Sequence, residues 1–325
     1  MESVRWGILS TAKIAVTKMI PALQEAKNCT VAAISSRSAG KAEKTADKLD
    51  IPISYGSYDE LLSDSSVDAI YNPLPNHLHV SKSIEALQQQ KHVLCEKPIS
   101  LNASEAQNLI YASQLYPDLK IMEAFMYRFH PQWKRTKSIV ENGEIGDPQT
   151  IESFFSYYND DPEDIRNNPD MGGGGLMDIG CYCISLSRFL FDDEPKEVSG
   201  HWKIDPKTGT DYLASGVLDF DSGTATFSCS TKSAPHQQVN IVGTKGRIVI
   251  HTPFNAPPTE ETTITLYRGQ KETEISFDPA NQYTLQAEAF AKAILNNSEV
   301  PTPLEDAINN MRVIDRFRQN AHSKE

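Results

Sequence analysis

Two rhythms of apolar and polar residues alternate through residue 124. "VRWGIL" (4–9), "TVAAIS" (30–35), "VDAIYN" (67–72), "HVLCEK" (92–97) and "LKIMEAF" (119–125) are short, nearly continuous apolar runs, the mark of strands buried on both faces. Between them the spacing opens to three and four. Ile14, Met19, Ile20 and Leu23 predict a helix over 13–25, and related patterns predict helices over 38–49, 77–90 and 102–116. Strands alternating with helices predict right-handed βαβ crossovers and a parallel sheet.

Beyond residue 125 the rhythm changes. "RFHPQWKRTKSIVENGEIG" (128–146) predicts a helix closed by glycines. Eight strand-like runs follow, from "QTIESFFSYY" (149–158) to "ETEISF" (272–277), several separated by turn chemistry such as Asp221-Ser222-Gly223. Helices over 281–296 and 304–320 close the chain. The expected architecture is an α/β, doubly wound Rossmann domain over 1–124. An α+β domain with a large, open, mostly antiparallel sheet is expected over 125–325, with helix 304–320 free to pack back on the first domain. An open sheet face is an association surface, so a homodimer or homotetramer through this sheet is expected.

Composition narrows the function classes. The 325 residues carry 31 basic and 43 acidic side chains, a net charge of −12 and a pI near 5.2. That balance argues against nucleic acid or anionic lipid as the main partner. No apolar run approaches the ~20 residues that span a bilayer, and no basic region precedes an apolar core in "MESVRWGIL". The five cysteines show no metal or disulfide spacing, so no metal site is expected and a cytoplasmic setting with reduced thiols is.

The join "WGILSTAKIA" (6–15) raises the question of chemistry. A strand running directly into a helix leaves free N–H groups and a positive dipole end, which is an anion site. A dinucleotide-binding turn normally uses glycine there; this chain has Ser10, Ala12 and Ala15, the next smallest choices. Taken alone, the segment is equally a plain βα turn. The second strand ends in Ser36, Arg37 and Ser38. A free ribose 2′-hydroxyl would want a carboxylate at this point, whereas an arginine suits a 2′-phosphate, which favours NADP over NAD. The alternative is a solvated arginine at a helix start.

Three further segments stand where a parallel sheet presents its working edge: "NPLPNHLH" (72–79), "EKP" (96–98) and "GGGGLMDIGCYC" (172–183). Asp178 and Tyr182 are four apart and so share a helix face. Each residue also has a plain structural reading. Asn76 and His77 could cap a helix, Lys97 could be a surface lysine, Asp178 could offset a helix dipole, and Tyr182 could be a core aromatic.

Together with "GILSTAKIA" and "MEAFMYRFHP", in this order, these segments resemble the glucose–fructose oxidoreductase, inositol dehydrogenase and rhizopine-catabolism (Gfo/Idh/MocA) family. The resemblance runs from about residue 3 to the C-terminal helix, and "EKP" and "DIGCYC" are its specific motifs. Within the family it points to the branch of dimeric dihydrodiol dehydrogenases and NADP-dependent D-xylose dehydrogenases, which tolerates "STAKI" in place of the glycine fingerprint. The resemblance implies a cofactor site built from Ser10, Thr11, Ala12, Lys13 and Ile14 at the first turn, and from Ser36, Arg37 and Lys41 at the second. Asn72, Pro73, Leu74, Asn76 and His79 would follow, then Glu96 and Lys97.

It also implies that Lys97 lies near the nicotinamide and that Lys97, Tyr182 and Asp178 are the catalytic set. Many members carry histidine where this chain has Tyr182, which puts inositol-type substrates in doubt. A phenol near pKa 10 is a poor base at neutral pH, and a neighbouring ammonium would lower that pKa. Arg128, His130 and Tyr157 are candidates for the substrate side; packing at a helix start is the alternative for His130. The expected reaction is hydride transfer between NADP and a carbinol carbon of a small sugar, polyol or cyclic diol. The family also implies alternatives: an NAD-dependent glycosidase, a cofactor-binding sugar sensor, or keto-reduction of a nucleotide-linked sugar.

Overall fold

A computed structural model of the chain describes residues 2–323. Two compact units emerge, one formed by Met1–Met126 with Tyr283–Ile308, the other by Tyr127–Gln282 with Asn309–Glu325. Neither unit is one continuous stretch of chain. The sequence boundary at 124/125 falls two residues before the first crossing, and the predicted helix 304–320 is divided between the units.

The first unit is built on β1 (Val4–Leu9), β2 (Cys29–Ser35), β3 (Ile53–Tyr55), β4 (Ala69–Asn72), β5 (His92–Cys95) and β6 (Ile121–Glu123). They form one sheet in the order β3-β2-β1-β4-β5-β6, with parallel pairing throughout. The order runs outward in both directions from β1, so a crevice opens at the carboxyl ends of β1 and β4. Trp6, Ile8, Leu9, Ile34, Ile70, Tyr71 and Val93 are fully buried, as continuous apolar strands demand. Each such side chain contributes roughly 1.5–3 kcal/mol of burial.

The expected helices are present as α1 (Ile20–Glu25, entered through a π-helical turn over Ala15–Met19), α2 (Ala39–Lys48), α4 (His79–Gln88) and α5 (Ala103–Gln114). The strand β3 and the five-residue helix α3 (Tyr58–Leu62) between them were not expected. They are too short for a periodic signal, yet α3 carries a full capping box: Ser57 Oγ accepts the Glu60 N–H, and Glu60 accepts the Ser57 N–H.

The second unit opens with α6 (Pro131–Glu141), shorter than the predicted 128–146 because a 3₁₀ turn over Met126–Phe129 precedes it and Asn142-Gly143 ends it. Its sheet comprises β7 (Pro148–Tyr158), β8 (Glu197–Ile204), β9 (Asp211–Phe220), β10 (Gly223–Ser230), β11 (Lys232–Gly243), β12 (Gly246–Ile250), β13 (Thr262–Arg268), β14 (Lys271–Phe277) and the short β15 (His322–Ser323). The order is β14-β13-β12-β11-β7-β10-β9-β8-β15. Pairing is antiparallel except for β10 with β7 and β15 with β8. Strand alternation separates two faces. Ala214, Leu218, Phe220, Ala225 and Phe227 are buried, while Val217 on the opposite face is 42% exposed.

Helix α7 (Cys181–Phe191) is buried almost all round. Helix α8 (Gln282–Leu295) returns the chain to the first unit. There Phe290 packs 5.7 Å from Trp6 (ring centroids), Thr284 Oγ1 donates to the Ala22 carbonyl, and Glu288 accepts the Lys27 N–H. Helix α9 (Leu304–Asn320) follows, with Phe317 against Phe227 and Trp202. No described helix is long and apolar enough to cross a membrane, and no disulfide joins any of the five cysteines.

Candidate active site

In the first unit, the predicted cofactor segments all leave the carboxyl ends of neighbouring strands. The Ser10 turn follows β1, Ser36–Ser38 follow β2, Asn72 ends β4 with Pro73–Asn76 after it, and Glu96-Lys97 follow β5. Ser10 sits at φ 75°, in the left-handed region where the fingerprint would place glycine, and its Oγ accepts the Ala12 N–H. The small side chain therefore does two jobs: it tolerates the turn and anchors it. Lys13 is exposed at the helix start, and Thr11, Ala12 and Ile14 are half-buried.

Arg37 and Lys41 are both exposed at the start of α2, while the Ser36 hydroxyl accepts the Ser38 N–H beneath them. His77 Nδ1 is buried and lacks a hydrogen-bond partner among the described residues. A left-handed turn at a helix start, two exposed cations at the end of β2 and an orphaned ring nitrogen after β4 together fit a phosphate-bearing dinucleotide.

Two members of the expected cofactor set are tied into the scaffold. Asn72 is fully buried; its Nδ2 donates to the His79 carbonyl and Ser83 Oγ, and its Oδ1 accepts the Leu74 N–H. His79 is buried, with Nδ1 2.7 Å from the Pro98 carbonyl and Nε2 2.6 Å from the Leu74 carbonyl. Both ring nitrogens are thus engaged in tying the loop after β4 to the loop after β5. Burial drives the ring pKa down to about 4, against the pull of the two carbonyls, which favour the protonated ring. Leu74 and Pro73 are buried beside them. Glu96 accepts a 2.6 Å hydrogen bond from the Tyr71 hydroxyl, and the Lys97–Pro98 peptide is cis.

In the second unit, Asp178 lies on a π-helical turn (Leu176–Gly180) that runs into α7 and Tyr182. The Tyr157 hydroxyl donates to Asp178 Oδ2 at 2.6 Å, and Arg166 Nε lies 3.2 Å from the same oxygen. Arg166 also reaches Asp164 at 3.3 Å. The Asp178 charge holds the Arg166 guanidinium above its usual range, and burial, then the Asp178 charge, push the Tyr157 phenol far up. Tyr157 is therefore a neutral donor, not a base.

Tyr182 is 5% exposed, with Phe254, Phe155 and Tyr127 rings 5.4–5.9 Å from its own. Phe155 and Tyr157 also line a cleft of about 430 Å³, closed by Pro235, His236, His251 and Asn255. The described residues lining it include no lysine, arginine or carboxylate.

Arg128 and His130, candidates for the substrate side, are each held by neighbouring elements. Arg128 Nη2 donates to Ser185 Oγ and the guanidinium stacks over Phe189, both on α7. His130 is 1% exposed and caps α6, its Nδ1 accepting the Gln132 N–H. Sequence reasoning missed Arg166 and Asp211, whose Oδ2 accepts the Leu176 N–H at 2.7 Å. Each lies far in sequence from the residues it serves, and no local motif announces either.

The comparisons with known proteins bear on this geometry. Residues 4–115 match the model for an oxidoreductase family with an NAD-binding Rossmann fold, and residues 133–249 match the GFO/IDH/MocA C-terminal domain. A D-xylose 1-dehydrogenase (NADP(+)) of Haloferax volcanii is 38% identical, covering 98% of this chain and 97% of its own. The chain belongs to the Gfo/Idh/MocA oxidoreductase family. A trans-1,2-dihydrobenzene-1,2-diol dehydrogenase of Xenopus tropicalis is 33% identical over 78% of this chain and 77% of that one. Among solved structures of this fold, a 3-ketoreductase from Actinomadura kijaniata in complex with NADP and TDP-benzene superposes with a TM-score of 0.93. It is 26% identical, over 99% of this chain and 98% of that one. This Gfo/Idh/MocA member is thus an oxidoreductase with a nicotinamide-dinucleotide domain and an open-sheet partner domain, as its sequence motifs imply.

Proposed function

We propose that this protein is an NADP-dependent dehydrogenase or reductase acting on a carbinol carbon of an uncharged sugar, polyol or cyclic diol. The observation that carries the reading is the edge of the first sheet, where the Ser10 turn, Arg37 with Lys41, and Lys97 stand at the carboxyl ends of neighbouring strands. Two exposed cations with no carboxylate in the 36–41 segment favour the 2′-phosphate of NADP. The nicotinamide, when bound, supplies the two-electron acceptor or donor.

The chain's own residues handle the proton and the oxygen. In the second unit Tyr182 exchanges the hydroxyl proton, and in the first Lys97 supplies an ammonium for the substrate oxygen. Asp178, its charge supported by Arg166 and Tyr157, accepts a neighbouring hydroxyl of the substrate. The neutral polar walls of the cleft beside Tyr157 suit hydroxyl groups. A reducing, cytoplasmic setting is in keeping with five cysteines that form no disulfide.

The test is a screen of aldoses, polyols and cyclic diols with NADP⁺ and NAD⁺, read as absorbance of the reduced cofactor. Turnover of a neutral carbinol with NADP⁺ preferred is the expected result. Turnover confined to nucleotide-linked sugars, or cofactor retained through purification and never exchanged, would overturn it.

A further inference from the structure

Asp211 takes no part in the chemistry proposed above, yet it lies under the start of the helix that performs it. It begins β9, is 6% exposed, and accepts the Leu176 N–H through Oδ2 at 2.7 Å. Leu176 opens the π-helical turn that carries Asp178 two residues later. The glycine run before that turn is shaped around this carboxylate. Gly174 sits at φ +116°, where a Cβ would collide with Asp211 Oδ1, and a Cβ on Gly175 would come within 3.4 Å of Oδ2. Gly174 is held from its other side, since its N–H donates to the Arg166 carbonyl at 2.8 Å and its carbonyl accepts the Asp178 N–H at 2.9 Å. The loop thus couples Asp211, through Gly174, to the residue whose guanidinium pairs with Asp178.

We propose that Asp211 is a positioning residue, whose carboxylate fixes the entry of the Asp178–Tyr182 helix and thereby the placement of both side chains. The proposal rests on the roles given to Asp178 and Tyr182 above. Burial pushes the Asp211 carboxyl up to about 6, while the Leu176 N–H and the charge of Arg318 on α9 pull it down. The Cys229 thiol on β10 also faces it, and burial raises that thiol well above its usual range, so it stays neutral. Asp211 therefore binds a proton as the pH falls through about 6. Its bond to Leu176 then changes from charge-assisted to neutral, which is roughly half as strong.

The test compares the full-length wild type with Asp211→Asn and Asp211→Ala. Two readouts are taken from pH 8 to pH 5: amide hydrogen exchange over 174–182, corrected for intrinsic rates, and kcat, KM and NADPH affinity. In the wild type, protection over 174–182 and kcat should fall together through about pH 6. Asp211→Asn keeps an acceptor without a titrating charge, so it should fold normally and lose this acid limb. Asp211→Ala should lose the protection at every pH and cut kcat about ten- to hundredfold, with NADPH affinity within about twofold of wild type.

An Asp211→Asn enzyme that retains the acid limb would overturn the proposal. So would a folded Asp211→Ala enzyme with wild-type exchange and kcat, or one that loses NADPH binding together with turnover. Should Asp211→Ala not fold, Asp211→Asn decides alone. If the wild type turns over no carbinol, the substrate reading fails, and the exchange measurement still decides for or against Asp211.

Discussion

The phenol of Tyr182 is packed among three aromatic rings, so Tyr182→Phe removes a hydroxyl and leaves the packing intact. That variant should bind NADPH like wild type and lose about 10²–10⁴ in kcat, the usual worth of general acid–base catalysis. Lys97→Met should be comparably severe, and the double variant should lose far less than the product of the two, because groups acting as a unit are not additive. Near-full turnover in Tyr182→Phe would reduce the tyrosine to packing. Arg37→Ala should weaken NADP(H) about tenfold to hundredfold and leave NAD(H) nearly unchanged, as measured by cofactor titration. Equal weakening of both would assign Arg37 to folding. These three side chains are proposed from the sequence because motifs carry them: "AISSRS", "EKP" and "DIGCYC". The segment "NPLPNHLH" did not reveal that the polar atoms of Asn72 and His79 also engage backbone groups of adjacent loops. Nor does any pattern reveal that Arg128 reaches Ser185 or that His130 caps a helix. Arg166 was invisible since its partner Asp178 lies twelve residues away across an irregular loop.

At the scale of elements, the glycine-rich loop was legible as a helix entry, but not the reason for its glycines. Gly173 and Gly174 are close-approach positions: a Cβ on Gly173 would lie 2.5 Å from the Arg166 carbonyl oxygen, and Gly174 combines positive φ with the Asp211 collision. Gly174→Ala should destabilise the protein by about 1–3 kcal/mol from the backbone alone, with the collision adding to it. Thermal unfolding measures this, and a melting temperature unchanged from wild type would show that the loop can relax. Long strands and helices were predicted because burial imprints period 2 or 3.6 on enough residues to be counted. The misses, β3 and α3, have three and five residues. For α3 a signal existed in the Ser57–Glu60 capping box, which needs only four residues and no periodicity.

For the whole molecule, three histidines whose rings burial lowers to about 4, namely His79, His92 and His130, set the response to acid. His92 Nδ1 accepts the Lys120 N–H and His130 Nδ1 accepts the Gln132 N–H, so protonating either nitrogen breaks a hydrogen bond. In all three rings burial brings the pKa down from 6.5. The unfolded chain takes up these protons first, so stability present above pH 6.5 is lost as the pH falls toward 4. Asp211, raised to about 6, acts in the opposite sense, favouring the folded state as it takes up its proton. With three groups against one, the melting temperature should be lower at pH 4.5 than at pH 7.5 by about 5 °C or more. A flat profile would mean that these rings reach water. The open face of the second sheet, where Val217 lies exposed, should bury itself against a second copy; light scattering giving only monomer mass at micromolar concentration would refute that. The division of the chain was least legible, since an apolar pattern tells which residues are buried but not which sheet a distant helix will cover. Phe290 on Trp6 has a consequence for the order of events at the ribosome. The first unit includes Tyr283–Ile308, so its core cannot close until that late segment has emerged. The Rossmann half, although synthesised before the second sheet, completes its core only after that sheet has been made.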